Sequence, residues 1–323
     1  MAKIFEVENL KVHFKLKGTF GSSKKTVKAV DGVSFSIDEG EVLSLVGESG
    51  SGKTTTGKAL LQLVPYTCDK MLFKGEEIDK SKAGLKKFRQ KAQMIYQDPY
   101  QSLNPRNEVL DIVSEPLMVN KLTDSEEDRL ARSKAALEEA GMIPGEEYFF
   151  RYPYELSGGQ RQRVVIASSM IMKPEFVVAD EPVSMLDASI RTGILRLMMK
   201  FREETGVAYL FITHDLSLAW LISDRIAIMY LGKIMEIGDS DIIVNGGLHP
   251  YTQALAEIMP KPGQSRQGER NVLEGETPDP TDVVEGCKFC SRCPVRMEKC
   301  EHEEPPMTEV ESGHQVACWR VAK

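Results

Sequence analysis

The chain has no apolar run approaching the ~18–20 residues that a bilayer-crossing helix needs. Its most tempting stretch, Leu221 to Leu231, is interrupted by Asp224 and Arg225. Positive charge is not in excess either. Forty-one Lys and Arg face 48 Asp and Glu, a net charge of −7, which argues against a nucleic-acid-binding surface. The opening MAKIFEVENL lacks the basic-then-apolar layout of a secretory signal. Cysteine is almost missing from the body of the chain. Only Cys68 precedes the group Cys287, Cys290, Cys293, Cys300 and Cys318, so a disulfide scaffold is excluded and a metal-binding tail is the better reading. These absences together describe a cytosolic protein whose work at a membrane would pass through a partner.

What is present is ordinary globular material: 323 residues, 41% hydrophobic and 28% charged. At roughly 100–200 residues per domain, that length suggests two domains or one with an appendage. Up to about residue 247, strand-like apolar runs (Val42–Val46, Met94–Tyr96, Phe176–Ala179, Ala208–Ile212, Ile226–Tyr230) alternate with helix-compatible segments. The alternation predicts an α/β fold with a mainly parallel sheet and helices on both faces. The first forty residues, with Val33-Ser-Phe-Ser-Ile37 alternating, read as antiparallel strands added at one edge.

Between Gln97 and Ser157 the strand signal vanishes, and Glu126–Ala140 is rich in helix formers. A helical insertion over about 98–172 is expected there. From residue 248 the composition changes again, with eight of the sixteen prolines in the last 76 residues. The division expected is 1–247 as the main domain and 248–323 as a small Cys-rich extension, joined by a linker over Lys261–Glu285. No internal repeat is visible.

Three stretches carry chemistry. Gly47-Glu48-Ser49-Gly50-Ser51-Gly52-Lys53-Thr54 fits G-x-x-x-x-G-K-[ST], between a strand and a helix-compatible run. Its glycines let successive N–H groups face phosphate oxygens, and the helix aims its positive end at the same charge. Lys53 is expected at the β/γ-phosphates and the Thr54 hydroxyl on Mg²⁺. A flexible Gly/Ser turn would explain the glycines but not their strand-to-helix setting. Phe176-Val-Val-Ala-Asp180-Glu181 ends a buried-type strand in two acids, stopped by Pro182. After a phosphate loop, Asp180 suits Mg²⁺ and Glu181 suits a general base on water. Taken alone, a strand ending in acids is as readily a solvated edge. Leu156-Ser157-Gly158-Gly159-Gln160 is the most specific feature. Ser157 is a good N-cap for a helix to Met172, and two glycines at a helix start permit close approach of a phosphate.

With these residues in place, the sequence resembles the ATP-binding subunits of ABC transporters over roughly residues 3–247. Leu156–Gln160 matches that family's signature letter for letter, Gln97 its Q-loop, Ser184-Met185-Leu186-Asp187 its D-loop, and His214 its switch histidine. The resemblance implies a phosphate-loop NTPase core acting as an ATPase. Glu181 and His214 would be catalytic. Gly47 to Thr54, with Thr55, Gln97 and Asp180, would bind ATP, and Thr54, Gln97 and Asp180 would hold Mg²⁺. It also implies a head-to-tail dimer, in which Ser157, Gly158, Gly159 and Gln160 act on the partner's ATP and Asp187 carries information across the interface. One departure stands out. The family's adenine-stacking aromatic has no clear counterpart in the basic stretch Lys15–Lys28, and either Phe14 or Phe20 would supply it.

His249-Pro-Tyr-Thr252 and the tail resemble the extension found in ATPases of oligopeptide, dipeptide and nickel importers. The family's four cysteines match Cys287, Cys293, Cys300 and Cys318, with Cys290 additional. They imply a [4Fe–4S] cluster, with Cys₄ zinc or empty thiols as alternatives. A metal staple would supply stability that the apolar-poor tail lacks. The expected partners are a second ATPase subunit (a related chain favoured over an identical one), two transmembrane permeases and, indirectly, an extracytoplasmic solute-binding protein. No nucleic acid is among them. The expected place is the cytoplasmic face of the inner membrane and the expected cargo di- or oligopeptides. Oligosaccharides, nickel and a soluble non-transport task are alternatives, and an iron–sulfur carrier with a degenerate nucleotide fold is opposed by the intact Lys53, Asp180, Glu181 and His214.

Overall fold

The computed structural model describes residues 2–15, 26–259, 278 and 285–322. Phe20 and nearly all of the expected linker lie outside the described residues. The chain divides into two compact units, one formed by Lys3–Ile37, Glu41–Glu77 and Phe211–Lys323, the other by Met1–Ala2, Asp38–Gly40 and Ile78–Leu210. Among the described residues no helix is long and apolar enough to cross a membrane.

The first unit contains a four-stranded sheet in the order Thr26–Asp38, Lys3–Lys15, Lys70–Phe73, Glu76–Glu77. The two long strands alternate between buried and exposed residues, as a one-sided sheet requires. Phe5 stands opposite Phe73 in the antiparallel register, their rings 5.2 Å apart. The N-terminal strands therefore do not extend the edge of the parallel sheet, as their alternation suggested. They form a separate sheet, because Lys70–Phe73 offers them an apolar partner strand of their own.

The same unit carries, side by side, Thr308–Glu311, His314–Val316, Lys233–Asp239, Arg225–Tyr230 and Val42–Val46. Val42–Val46 is buried at every residue and runs parallel to Arg225–Tyr230, with Leu45 opposite Ala227. A continuous apolar run is what a strand buried on both faces needs. Arg225–Tyr230 turns back through Leu231 and Gly232, both at positive φ (41° and 81°), into the antiparallel Lys233–Asp239. Glu236 of that strand then pairs with Val316, so the C-terminal hairpin continues the sheet. Phe289 is fully buried, with its ring 5.4 Å from Tyr230 and 5.2 Å from Tyr251. The extension is thus anchored by backbone pairing and an aromatic cluster, where its composition had suggested too little apolar material for a core.

The second unit pairs Ala92–Ile95 with Phe176–Asp180 in parallel, Ile95 opposite Ala179. Helices Val109–Asn120, Glu126–Glu139 and Gly158–Met170 pack on one another. Glu126–Glu139 starts where it does because Ser125 accepts from the Asp128 N–H at 3.2 Å, and because Glu126, Glu127 and Asp128 suit the positive helix end. Gly158–Met170 leads to Phe176–Asp180, then to the 18-residue helix Ala188–Thr205. The strand Ala208–Thr213, fully buried, runs from this unit into the first.

Candidate phosphate-binding and catalytic residues

Gly47–Gly52 joins Val42–Val46 to the helix Lys53–Leu60. Gly52 sits at φ 104°, and a Cβ there would lie 2.1 Å from the Ala29 carbonyl oxygen, so no other residue fits. Lys53 is only 5% exposed. Its ammonium donates to the carbonyls of Gly47 and Glu48, each at 2.8 Å, and to Ser51 Oγ at 3.4 Å. The loop is thus wrapped around a buried cation at the N-terminal end of a helix, and that pairing of charge with N–H groups suits a phosphate. Thr54 and Thr55 occupy the first turn, half-buried.

In the other unit, Asp180 closes the strand Phe176–Asp180 and is 4% exposed. Glu181 follows at φ 45°, a left-handed conformation that costs a non-glycine residue about 1–3 kcal/mol. Its carbonyl accepts from the Ser184 N–H at 3.2 Å and from Ser184 Oγ at 3.1 Å. Gln97 lies two residues beyond Ala92–Ile95, and its Nε2 donates to Glu181 Oε2 at 3.2 Å. The parallel pairing of the two strands brings these side chains together across 84 residues of sequence. Strain stored at an acid whose side chain is held by an amide fits a pre-positioned base.

Ser157 caps Gly158–Met170 through a complete capping box. Its Oγ accepts from the Gln160 N–H at 3.3 Å, and Gln160 Oε1 accepts from the Ser157 N–H at 3.0 Å. Gly158 is half-buried. A Cβ on Gly159 would come within 2.8 Å of Ile190, so the second glycine serves packing within this unit. Asp187 is exposed at the start of Ala188–Thr205, where its side chain forms no capping bond. His214 is exposed just after Ala208–Thr213, and Asp215 beside it caps the next helix by accepting from Ser217 N at 2.8 Å. Phe14, 39% exposed, lies one residue from the end of Lys3–Lys15.

The C-terminal extension adds residues that the motifs did not reveal. Tyr251 is fully buried, and its hydroxyl accepts from the Glu48 N–H at 3.1 Å. Arg292 donates through Nη1 to both Glu48 carboxylate oxygens, at 3.0 and 2.9 Å, and to the Tyr230 hydroxyl at 3.4 Å. Glu236, wholly buried, accepts from Leu248 N (2.8 Å), His249 N (3.0 Å) and His314 Nε2 (2.7 Å). A single Glu inside an apolar strand and a single Arg between cysteines offer no local signal. The HPYT tetrapeptide, the cysteines and the prolines marked this region in the sequence, but none of them pointed to Glu236 or Arg292.

Among the described residues, no three or more His, Cys, Asp and Glu side chains close up as a metal-holding group. The cysteines still share one neighbourhood. Gly286 at φ 59° lets Cys287 N donate to Cys300 O at 2.8 Å, a spot where a Cβ would lie 2.3 Å from that oxygen. Burial first, then the charges of Cys300, Cys293 and Cys318, push the Cys287 thiol up to about 12. Burial and neighbouring cysteines raise Cys293 and Cys318 as well. Cys290 is raised by burial and by Cys300 and Glu301, and its own charge raises Cys293. The set Cys287, Cys293, Cys300 and Cys318 is chemically a four-thiol donor group, and Cys290 packs in the same cluster as Cys287, Cys293 and Cys300.

The family model for the ABC transporter matches residues 30–184, and that for the oligopeptide/dipeptide transporter C-terminal region matches 235–300. The oligopeptide transport ATP-binding protein AppF of Bacillus subtilis is 43% identical over 98% of this chain and 96% of its own. The dipeptide transport ATP-binding protein DppF of Escherichia coli is 40% identical over 98% of this chain and 94% of its own. Among solved structures, a dimeric ATP-binding cassette in a post-hydrolysis state with ADP and Pi has a TM-score of 0.63 and 28% identity. The match covers 73% of this chain and 98% of that one.

Proposed function

Since the chain belongs to the family of ABC transporter ATP-binding subunits, we propose that it hydrolyses ATP to drive import of di- or oligopeptides through separate transmembrane permeases, seated peripherally on the inner membrane. The observation that carries this reading is Glu181, strained at φ 45° after a buried Asp180 and held by Gln97 at 3.2 Å, in a chain whose phosphate loop is wrapped around Lys53. Relatives named for oligopeptide and dipeptide transport align over 98% of the chain, extension included, and support peptide cargo.

In the mechanism, the loop's N–H groups and Lys53 bind the β- and γ-phosphates and offset their charge. Thr54, Gln97 and Asp180 would hold Mg²⁺, which when bound would offset negative charge on the phosphates. Glu181 polarises the attacking water, and His214 holds the γ-phosphate geometry. Ser157, Gly158, Gly159 and Gln160 cap the ATP of a second subunit, with Asp187 relaying between them. The dimeric cassette with ADP and Pi supports such pairing. The helices of 98–172 dock the permeases, and the partner subunit is a related ATPase.

Glu181→Gln is expected to leave MgATP binding intact while lowering turnover by about 10²-fold or more. The variant should accumulate as an ATP-bound dimer on a sizing column with its natural partner present. Turnover close to wild type would remove Glu181 from the mechanism. Cys287, Cys293, Cys300 and Cys318 would be the ligands of a [4Fe–4S] cluster, which when bound would tie four points of the extension together. Protein purified without oxygen should be brown and carry iron and sulfide in equal amounts. A colourless preparation with stoichiometric zinc would assign the thiols to zinc instead.

A further inference from the structure

Glu48 is an acid placed inside a loop that has to receive a polyphosphate. Its carboxylate should repel the ligand, since Lys53 Nζ lies only 2.8 Å from the Glu48 carbonyl and any phosphate on Lys53 falls within a Debye length of ~8–10 Å. Yet the Glu48 side chain does not stand alone. Arg292, its side chain 8% exposed, holds both carboxylate oxygens from 244 residues further along the chain. The guanidinium also lies 5.8 Å from the centre of the Tyr230 ring and donates to that residue's hydroxyl, so its position is fixed by the buried aromatic cluster. Tyr251, in the same cluster, accepts from the Glu48 N–H and fixes the backbone of the same residue.

We infer that Arg292, reaching from the C-terminal extension, cancels the charge that Glu48 would otherwise turn on the phosphates of ATP, while the backbone of Glu48 is held separately by Tyr251. The inference rests on the ATPase reading above and adds to it that the extension sets nucleotide affinity.

The sign of the effect separates this role from simple packing. Measured by calorimetry on the full chain purified without oxygen, Arg292→Met should raise the Kd for MgATP about tenfold at low salt, and the gap should narrow in 0.5 M salt. Arg292→Lys, which keeps the charge, should stay within threefold of wild type. Glu48→Gln should leave Kd at or below the wild-type value, and the double variant should recover most of the loss seen in Arg292→Met. A merely structural contact would instead weaken binding in Glu48→Gln as in Arg292→Met, without salt dependence, and that result overturns the inference. If Arg292→Met does not fold, as judged by thermal unfolding, Glu48→Gln and Arg292→Lys decide alone: weaker binding in the former, or tenfold weaker binding in the latter, rejects the role. A wild-type chain that hydrolyses no ATP with its natural partners present would sink the ATPase reading; Glu181-dependent turnover with Arg292-independent affinity would sink only the present inference.

Discussion

The phosphate loop and the C-terminal extension meet at Glu48 but are held by opposite means. Within the loop, Lys53 reaches back two, five and six residues to Ser51, Glu48 and Gly47, and Thr56 N bonds Gly52 O four residues away. Its shape is a property of the backbone, set by where glycine alone can sit. The extension is held by side chains far apart in sequence: Phe289 on Tyr230 and Tyr251, and Glu236 on His249 and, 78 residues on, His314. A loop of the first kind stores little packing energy and spends its atoms on a ligand. A structure of the second kind is worth its burial and fails as a whole. Substitutions in the loop should therefore change binding before stability, and substitutions in the extension the reverse, except at Arg292 and Tyr251, which reach Glu48.

The sharpest way to break that contrast is Phe289→Ala. The ring is fully buried among Tyr230, Tyr251 and His249, so its removal combines lost transfer energy with a cavity, about 3–5 kcal/mol. Denaturant unfolding of the full chain checks this. A loss below about 1 kcal/mol would mean that the aromatic cluster does not hold the extension and that the strand pairing of Glu236 with Val316 does so unaided.

The same contrast explains what could be read in advance. The strands Val42–Val46, Phe176–Asp180, Ala208–Thr213 and Arg225–Tyr230 lie where their apolar runs placed them, and Ser157 caps its helix, because each signal is local. The pairing of Gln97 with Glu181 needed parallel register between two strands 80 residues apart, which only the motif order hinted at. The N-terminal strands betrayed their alternation but not their sheet, since alternation says that one face is buried and not against which neighbour. Glu236 was illegible for a stronger reason. An acid within a strand reads as a solvated face, yet this one is wholly buried, and the groups that satisfy it lie 12, 13 and 78 residues away. Arg292 was hidden in the same way, because the cysteines around it drew the reading toward metal.

The buried histidine beside Glu236 offers a subtler test of the extension, through pH. Burial lowers His249 to about 4, and its Nδ1 accepts from the Tyr251 N–H at 3.1 Å, a bond that requires that nitrogen to carry no proton. Around it stand the Glu236 carboxylate on its backbone N–H, His314 on that carboxylate and the Phe289 ring. The native state keeps His249 neutral, whereas the unfolded chain takes up a proton near pH 6.5. The unfolded state thus binds more protons below pH 6.5, and stability should fall as the pH drops from 6.5 toward 4, by at most about 3 kcal/mol. Above 6.5 this contribution is fully present. His249→Asn, which keeps a capping side chain without a titrating one, should be less stable at pH 7 but show a shallower decline between pH 6.5 and 5. Denaturant midpoints across that range decide the matter: equal slopes in the two proteins would place the acid sensitivity elsewhere and leave His249 as a cap and a packing group only.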